Sequence, residues 1–258
     1  MKLGFLGTGA ITSAMVGGLN GHGGELHHIC LSPRNAARAA DLAGRLPQVR
    51  VASSNQEVVD GSEVVIVAVR PQIVQDVLAE LRFRADQRVI SVVSGFSVRT
   101  MNGLVAPAGS VTRAVPLPAA ARRRSPTAVY PPDDLTVSLF AALGGAFAVQ
   151  SESEFSVLCT ATATMATYFA FADGAASWLT RHGIPAAQAR EYVAQLFAGL
   201  ADTAVEARRR SFPELAADHA TRGGTNEQVF AHMSDHGVFE TFSEALDGIL
   251  RRVTAGAR

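Results

Sequence analysis

Lysine is almost missing from this chain: Lys2 is the only one, and every other of the 23 basic residues is arginine. That excludes any mechanism resting on an interior catalytic lysine. An excess of either charge is missing too, since 23 basic residues face 23 acidic ones. Nothing global therefore draws the protein to nucleic acid or to an anionic membrane surface. The two cysteines, Cys30 and Cys159, stand far apart without metal-ligand spacing, and read as buried thiols of a reducing compartment. No basic leader with a cleavage site precedes the first apolar strand pattern, and no unbroken apolar stretch reaches the roughly 18 residues of a membrane span. The expectation is a cytoplasmic protein with neither nucleic acid nor membrane as partner.

What is present is a core-forming composition, 48% hydrophobic against 18% charged in 258 residues, arranged in two rhythms. Over residues 1–150, apolar runs alternate with segments of helical period: "KLGFLG", "LHHICLS", "VRVA", "EVVIVAV", "RVISVVS", "SVTRA" and "FAVQ". Val- and Ile-rich runs between helical segments signal βαβ units on a mostly parallel sheet, whose buried strands read as continuous apolar stretches. Over residues 151–258 the strands stop. Ser151 or Ser153 caps a long apolar helix ending near Gly183, a second helix follows from Ile184, and the tail after "GGTNEQ" makes a third or fourth. The fold class is α/β: a Rossmann-type dinucleotide-binding domain, 1–150, followed by an all-α domain, 151–258. The segment Phe155–Trp178 is too apolar for a helix with a wet face, which points to a subunit partner.

"GFLGTGAITSAM" places Gly7 and Gly9 directly after the first strand and before a helix. Gly7 allows the tight turn, Gly9 lets a pyrophosphate approach the backbone, and the helix N-terminus offers free N–H groups. Thr12 holds the third fingerprint position, usually Gly or Ala, and is expected to loosen helix-to-strand packing. The second strand ends in "LSPRNAAR" without the carboxylate that accepts from a ribose 2′-hydroxyl in NAD sites. Ser32 and Arg34 are candidate donors to a 2′-phosphate, so NADPH is favoured over NADH. The runs Arg122–Arg124 and Arg208–Arg210 read as solvated charge. His27 and His28 abut the second strand. His232 and His236 are an i, i+4 pair that no acid or cysteine completes, and no metal site is expected.

In order and spacing, "GFLGTGAITSAMVGGL", "SPRNAARAADLA", "SSNQEVVDGSEVVIVAVRPQIVQDVL", "ISVVSGFS", "TRAVP" and "GGTNEQVF" resemble the pyrroline-5-carboxylate reductase family over nearly the whole chain. The resemblance implies an NADPH-binding Rossmann domain, a helical domain that forms a homodimer or higher oligomer, and reduction of a cyclic imine carboxylate, pyrroline-5-carboxylate, to proline. It assigns the pyrophosphate to Gly7, Thr8, Gly9, Ala10 and Ile11, the 2′-phosphate to Ser32 and Arg34, and the adenosine to Asn55. Ala68, Val69, Arg70 and Pro71 then line the nicotinamide ribose, with Arg70 where the family has lysine, and Ser94 and Gly95 flank the nicotinamide. The substrate carboxylate falls to Gly223, Gly224, Thr225 and Asn226, whose N–H groups open a helix.

Departures gather on the substrate side. Asn226 stands where the family has a second threonine, Thr221 and Arg222 replace Ser-Pro, Leu117 takes an asparagine position, and in the long helix only Tyr168 and alternate hydroxyls such as Thr164 survive. Asn226, Thr225, Tyr168 and Thr164 are the candidate catalytic groups. An imine bound as iminium is already electrophilic, so a strong general acid is optional. A different imine, or an NADPH-binding sensor with Met165 and Leu117 filling its pocket, is the alternative. A β-hydroxyacid dehydrogenase is set aside because it needs an interdomain lysine. A deazaflavin-dependent NADP reductase shares the N-terminal pattern but not the helical half.

Overall fold

The computed structural model describes residues 1–20 and 28–255, so His27 lies outside the described residues. The first part of the chain runs β1 Lys2–Leu6, α1 Ala10–Leu19, β2 His28–Leu31, α2 Ala36–Arg45, β3 Val49–Val51, α3 Asn55–Asp60, β4 Val64–Val67, α4 Val74–Ala79, β5 Arg88–Ser91, α5 Val98–Leu104, β6 Ser110–Val115, β7 Ser125–Tyr130, α6 Asp134–Ala141 and β8 Gly144–Ala148. One sheet takes them in the order β3-β2-β1-β4-β5-β6-β7-β8, parallel throughout except for the β6–β7 pair. The strand order reverses between β1 and β4. Side chains alternate between two apolar layers, and Leu3, Phe5, Val64 and Ile66 face one while Leu6, Val65 and Val67 face the other. With helices over both faces, all four residues of β4 are buried, as its unbroken apolar run requires.

Strand β7 was not foreseen, because Pro126 within "SPTAVY" argues against a paired strand. The register shows how it is accommodated. The Ser125 N–H donates to the Leu143 carbonyl at the β8 side (3.0 Å), so the next residue faces the opposite way. There the β6 ladder has already ended at the pair Val115 and Ala128, and no donor is required of Pro126. Arg123 also departs from its reading as solvated charge. At φ +56° it donates from Nε to the Gly18 carbonyl (2.8 Å) and from Nη2 to the Asn20 carbonyl (2.6 Å). It thereby satisfies orphan carbonyls at the end of α1 and meets the negative pole of that helix. Arg210 likewise pairs with Asp218.

The rest of the chain is helical: α7 Glu152–Ala161, a 3-10 turn Thr162–Thr164, α8 Met165–Arg181, α9 Ala186–Glu206, α10 Phe212–His219, α11 Thr225–Asp235 and α12 Val238–Ala255. Ser151 is the cap, its Oγ accepting from the Glu154 N–H (3.1 Å), and Gly183 at φ +95° closes α8. The expected long helix is thus two helices with a 3-10 turn between them. By length and mean hydropathy Glu152–Arg181 would suffice to cross a membrane, yet it is no unbroken apolar run, since Glu152, Glu154, Asp173 and Arg181 punctuate it. By contacts the chain divides into one compact unit of Met1–Cys159 with the residues from Arg252 onward, and a second of Thr160–Arg251. Helix α7 belongs to the first unit as far as Cys159, and Phe155 is buried there.

The tightest approach of α1 lies at Gly18, where an added Cβ would meet the Ala120 carbonyl oxygen at 2.1 Å; at the neighbouring Gly17 it would meet nothing within 4 Å. Gly18→Ala is therefore expected to destabilise by about 1–3 kcal/mol through overpacking against rigid backbone. Gly17→Ala is expected to stabilise by about 0.5–1 kcal/mol through helix propensity. Urea unfolding of the two variants beside the parent protein checks the pair.

Candidate functional site

Ligands of open parallel sheets bind beyond the carboxyl ends of the strands, where the strand order reverses. In the first unit that place lies between β1 and β4. Gly7 follows β1 at φ +101°, and a Cβ on it would stand 2.6 Å from the Ala68 carbonyl oxygen at the end of β4. Only glycine allows this contact between the two loops. Gly9 is the N-cap of α1, no side chain caps the helix, and no acidic residue occupies its first turn. A Cβ on Gly9 would meet nothing within 4 Å, so the helix N-terminus opens onto free space with its amides available. Ala10 and Ile11 begin that helix. Beside it, Ala68 and Val69 are half-buried, and Arg70 and Pro71 are exposed at the start of a 3-10 turn Pro71–Ile73. One strand further, Ser94 and Gly95 are exposed in the loop after β5.

Two sequence readings change here. Ser32, taken as a donor to a 2′-phosphate, is 1% exposed. Its Oγ accepts the Gly7 N–H (2.9 Å), while its carbonyl accepts the Thr8 hydroxyl (3.0 Å). It braces the glycine turn from behind. Thr12 does not loosen the packing: its buried Oγ1 donates to the Gly7 carbonyl at 2.6 Å. Asn35, left-handed at φ +68°, donates from Nδ2 to the Thr8 carbonyl (3.1 Å). These four side chains fix the turn by hydrogen bonds, and none had a motif to announce it.

Arg34 stays exposed after β2, and Arg38, which the sequence reading passed over, is exposed in the first turn of α2. Asn55 begins α3, half-buried. The acid of that turn, Glu57, is consumed locally. The Ser53 N–H (2.7 Å), the Ser53 hydroxyl (2.8 Å) and Arg50 (2.5 Å) converge on it and hold its carboxyl down at about 2. Burial pushes the Cys159 thiol up to about 11 against the pull of Arg113 and raises Cys30 as well, which disfavours the thiolate at both. Cys159 is only partly buried, unlike Cys30.

In the second unit, Gly223 sits at φ +74° and a Cβ on Gly224 would lie 2.8 Å from the Thr221 carbonyl oxygen, so both glycines are required by the turn itself. Gly224 caps α11 without a side-chain bond, and Thr225 and Asn226 follow, exposed. The turn is partly satisfied from within. Glu227 Oε2 accepts the Gly223 N–H (2.6 Å), and Asn226 Nδ2 donates to the His219 carbonyl at the end of α10 (2.9 Å). Asn226 therefore closes a helix end instead of presenting its amide freely. Thr164 is likewise engaged, donating to the Ala161 carbonyl (2.8 Å). Tyr168 is exposed on α8 with Phe169 and Phe197 as ring neighbours. His232 and His236 stack, and the second bonds the carbonyl of the first.

Two family patterns match separate parts of the chain. The family pattern described as "NADP oxidoreductase coenzyme F420-dependent" matches residues 2–95, and that described as "Pyrroline-5-carboxylate reductase dimerisation" matches 152–255. The chain is 23% identical to pyrroline-5-carboxylate reductase of Vibrio alginolyticus over 97% of its own length and 96% of the relative's. The solved 1-pyrroline-5-carboxylate reductase of Streptococcus pyogenes superposes with a TM-score of 0.84 at 24% identity, covering 99% and 98% of the two chains. A reductive aminase from Aspergillus terreus, in complex with NADPH and ethyl levulinate, superposes at 0.63 with 17% identity, covering 100% and 96%.

Removing the brace and removing the exposed cation should have separable effects. Ser32→Ala leaves the Gly7 N–H without its acceptor and is expected to cost about 1–3 kcal/mol of unfolding free energy. Arg34→Ala is expected to stay within about 0.5 kcal/mol of the parent protein. Denaturant titration of both variants decides this.

Proposed function

We propose that this chain, which belongs to the pyrroline-5-carboxylate reductase family, is an NADPH-dependent reductase of a C=N bond that converts pyrroline-5-carboxylate to proline. The observation that carries the reading is an open, acid-free helix N-terminus at the reversal of the sheet, with two guanidinium groups where an NAD site has its carboxylate. The residues present fit the cofactor. The amides of Gly9, Ala10 and Ile11 would take the pyrophosphate, and Thr8 shapes that turn. Arg34, joined by Arg38, would take the 2′-phosphate, for which Ser32 has no free face. Asn55 is assigned to the adenosine, Ala68, Val69, Arg70 and Pro71 to the ribose, and Ser94 and Gly95 to the nicotinamide. When bound, NADPH supplies a hydride for the carbon of the C=N bond.

The substrate carboxylate is assigned to the α11 N-terminus, where the N–H groups of Thr225 and Asn226 follow the Gly223–Gly224 turn. An iminium needs no strong acid. Of the candidate proton donors, Tyr168 keeps a hydroxyl without an internal partner, whereas Thr164 and Asn226 are already engaged. A second reading, reduction of an imine without a carboxylate, draws support from Glu227, whose negative charge sits at the same helix entrance.

Assembly follows from burial. Within Thr160–Arg251 only Thr160, Ala189 and Val193 are buried, while Phe169 is 69% and Phe212 78% exposed. A groove of about 670 Å³ between α8 and α9, with Tyr168 and Phe169 at its edge, is assigned to a second copy of the chain. The protein is thus a homodimer at least, placed in the cytoplasm in keeping with two free thiols.

Spectrophotometric assay with NADPH and pyrroline-5-carboxylate is expected to show cofactor oxidation. Arg34→Ala should raise the KM for NADPH about ten- to hundredfold while leaving that for NADH unchanged, since a phosphate bond to arginine is lost. Faster turnover of cyclic imines lacking the carboxylate selects the second reading. Tight NADPH binding without turnover of any imine turns the protein into a sensor. Light scattering should give at least a dimer, and Phe169→Asp combined with Leu196→Asp should yield monomers of lower thermal midpoint.

A further inference from the structure

The loop after β5, which carries Ser94 and Gly95, has its two ends fixed by different means. At its start, Ser91 pairs in register with Arg113 of β6. In the middle, Phe96 is buried in the apolar layer. At its far end, Ser97 caps α5 and accepts the Thr100 N–H (3.0 Å). The first amide of that helix, the Val98 N–H, is taken by Glu152 Oε1 at 2.8 Å, a carboxylate reaching in from the first turn of α7.

The same Oε1 accepts Arg113 Nη1 at 2.9 Å, and the Arg113 side chain is only 10% exposed. Its guanidinium carbon stands 4.4 Å from the ring centre of the buried Phe155, and its Nε is buried with no acceptor. A guanidinium so far removed from water depends on its one carboxylate, because a buried cation without a partner is costly. Glu152 in turn is held against the α5 N-terminus, where the helix dipole favours negative charge. Arg113 thus ties both ends of one loop: through its backbone it pairs with Ser91, and through Glu152 it reaches Val98.

We propose that Arg113 and Glu152 are positioning residues for the nicotinamide half of the cofactor, setting where Ser94 and Gly95 stand; this rests on the dinucleotide reading above. Ser94 and Gly95 are themselves exposed and have no packing of their own, so their place is inherited from the loop ends.

The test compares two ligands on each variant by titration: NADPH, and adenosine 2′,5′-bisphosphate, which carries the phosphorylated adenosine half and lacks the nicotinamide. Glu152→Ala should weaken NADPH about tenfold and lower kcat by a similar factor, while the bisphosphate affinity stays within about twofold. Val98→Pro removes the N–H that donates to Glu152 and replaces the Val98 side chain, which packs against the apolar layer, with another apolar one. Proline suits this first helical position, and Ser97 at φ −70° and ψ 161° tolerates a following proline. It keeps the Arg113–Glu152 pair and should show the same selective loss, which provides the test even if Glu152→Ala fails to fold. The double variant Arg113→Met with Glu152→Gln, which keeps an acceptor for Val98 and removes both charges, should recover most of the NADPH affinity. Equal losses for both ligands, or no loss for either, overturn the assignment. A parent protein that binds neither ligand overturns the dinucleotide reading itself, and the assignment with it.

Discussion

The contact between Gly7 and the Ala68 carbonyl is the constraint on which the first unit turns. It brings the loops after β1 and β4 together where the strand order reverses, and it leaves room for no side chain. Everything that lies near the helix α1 entrance is arranged around that approach. Ser32 holds the Gly7 N–H, Thr12 holds the Gly7 carbonyl, and Asn35 and Ser32 hold Thr8. Each of these bonds uses a polar group that would otherwise be buried without a partner. The turn is thus held by bonds of its own, and among the described residues no side chain caps the α1 entrance beyond Gly9.

The sheet was legible because its physics is local. A strand buried on both faces must be apolar at every position, and "VVIVAV" declares that without knowledge of its neighbours; the two glycines after β1 declare the turn. What could not be read depended on partners distant in sequence. Strand β7 is paired, yet Pro126 hides it, since only the length of β6 shows that no donor is needed there. Arg123 looks like one of three solvated arginines until the end of α1 arrives beside it. Ser32 has the composition of a phosphate donor, and only the direction of its hydroxyl toward Gly7 shows otherwise. The break at Thr162–Thr164 carries neither glycine nor proline, so no residue type marks it.

The helical unit poses the opposite problem. Its helices have apolar faces, as the sequence states, but a single copy leaves most of them in water. Burial of apolar surface is what offsets the entropy of ordering a chain, at about 25 cal/mol per Å². With so few buried residues, this unit gains little on that account from its own helices alone. The apolar span Glu152–Arg181 leaves side chains such as Phe169 exposed in the same way.

Between the two units the departures from the family pattern are unequal in kind. Around Gly7 the substituted residue, Thr12, adds a hydrogen bond that preserves the turn. At the glycine turn before α11, the substituted Asn226 spends an amide proton on the His219 carbonyl, and Glu227 spends its carboxylate on the Gly223 N–H. The first bond satisfies a helix-end carbonyl and the second a turn N–H, and the second places a negative charge beside the α11 entrance. The α11 entrance thus carries an acid of its own, whereas the first turn of α1 carries none. A carboxylate held this close to a helix entrance opposes a second negative charge there, so the two entrances of this chain differ in how readily they take an anion.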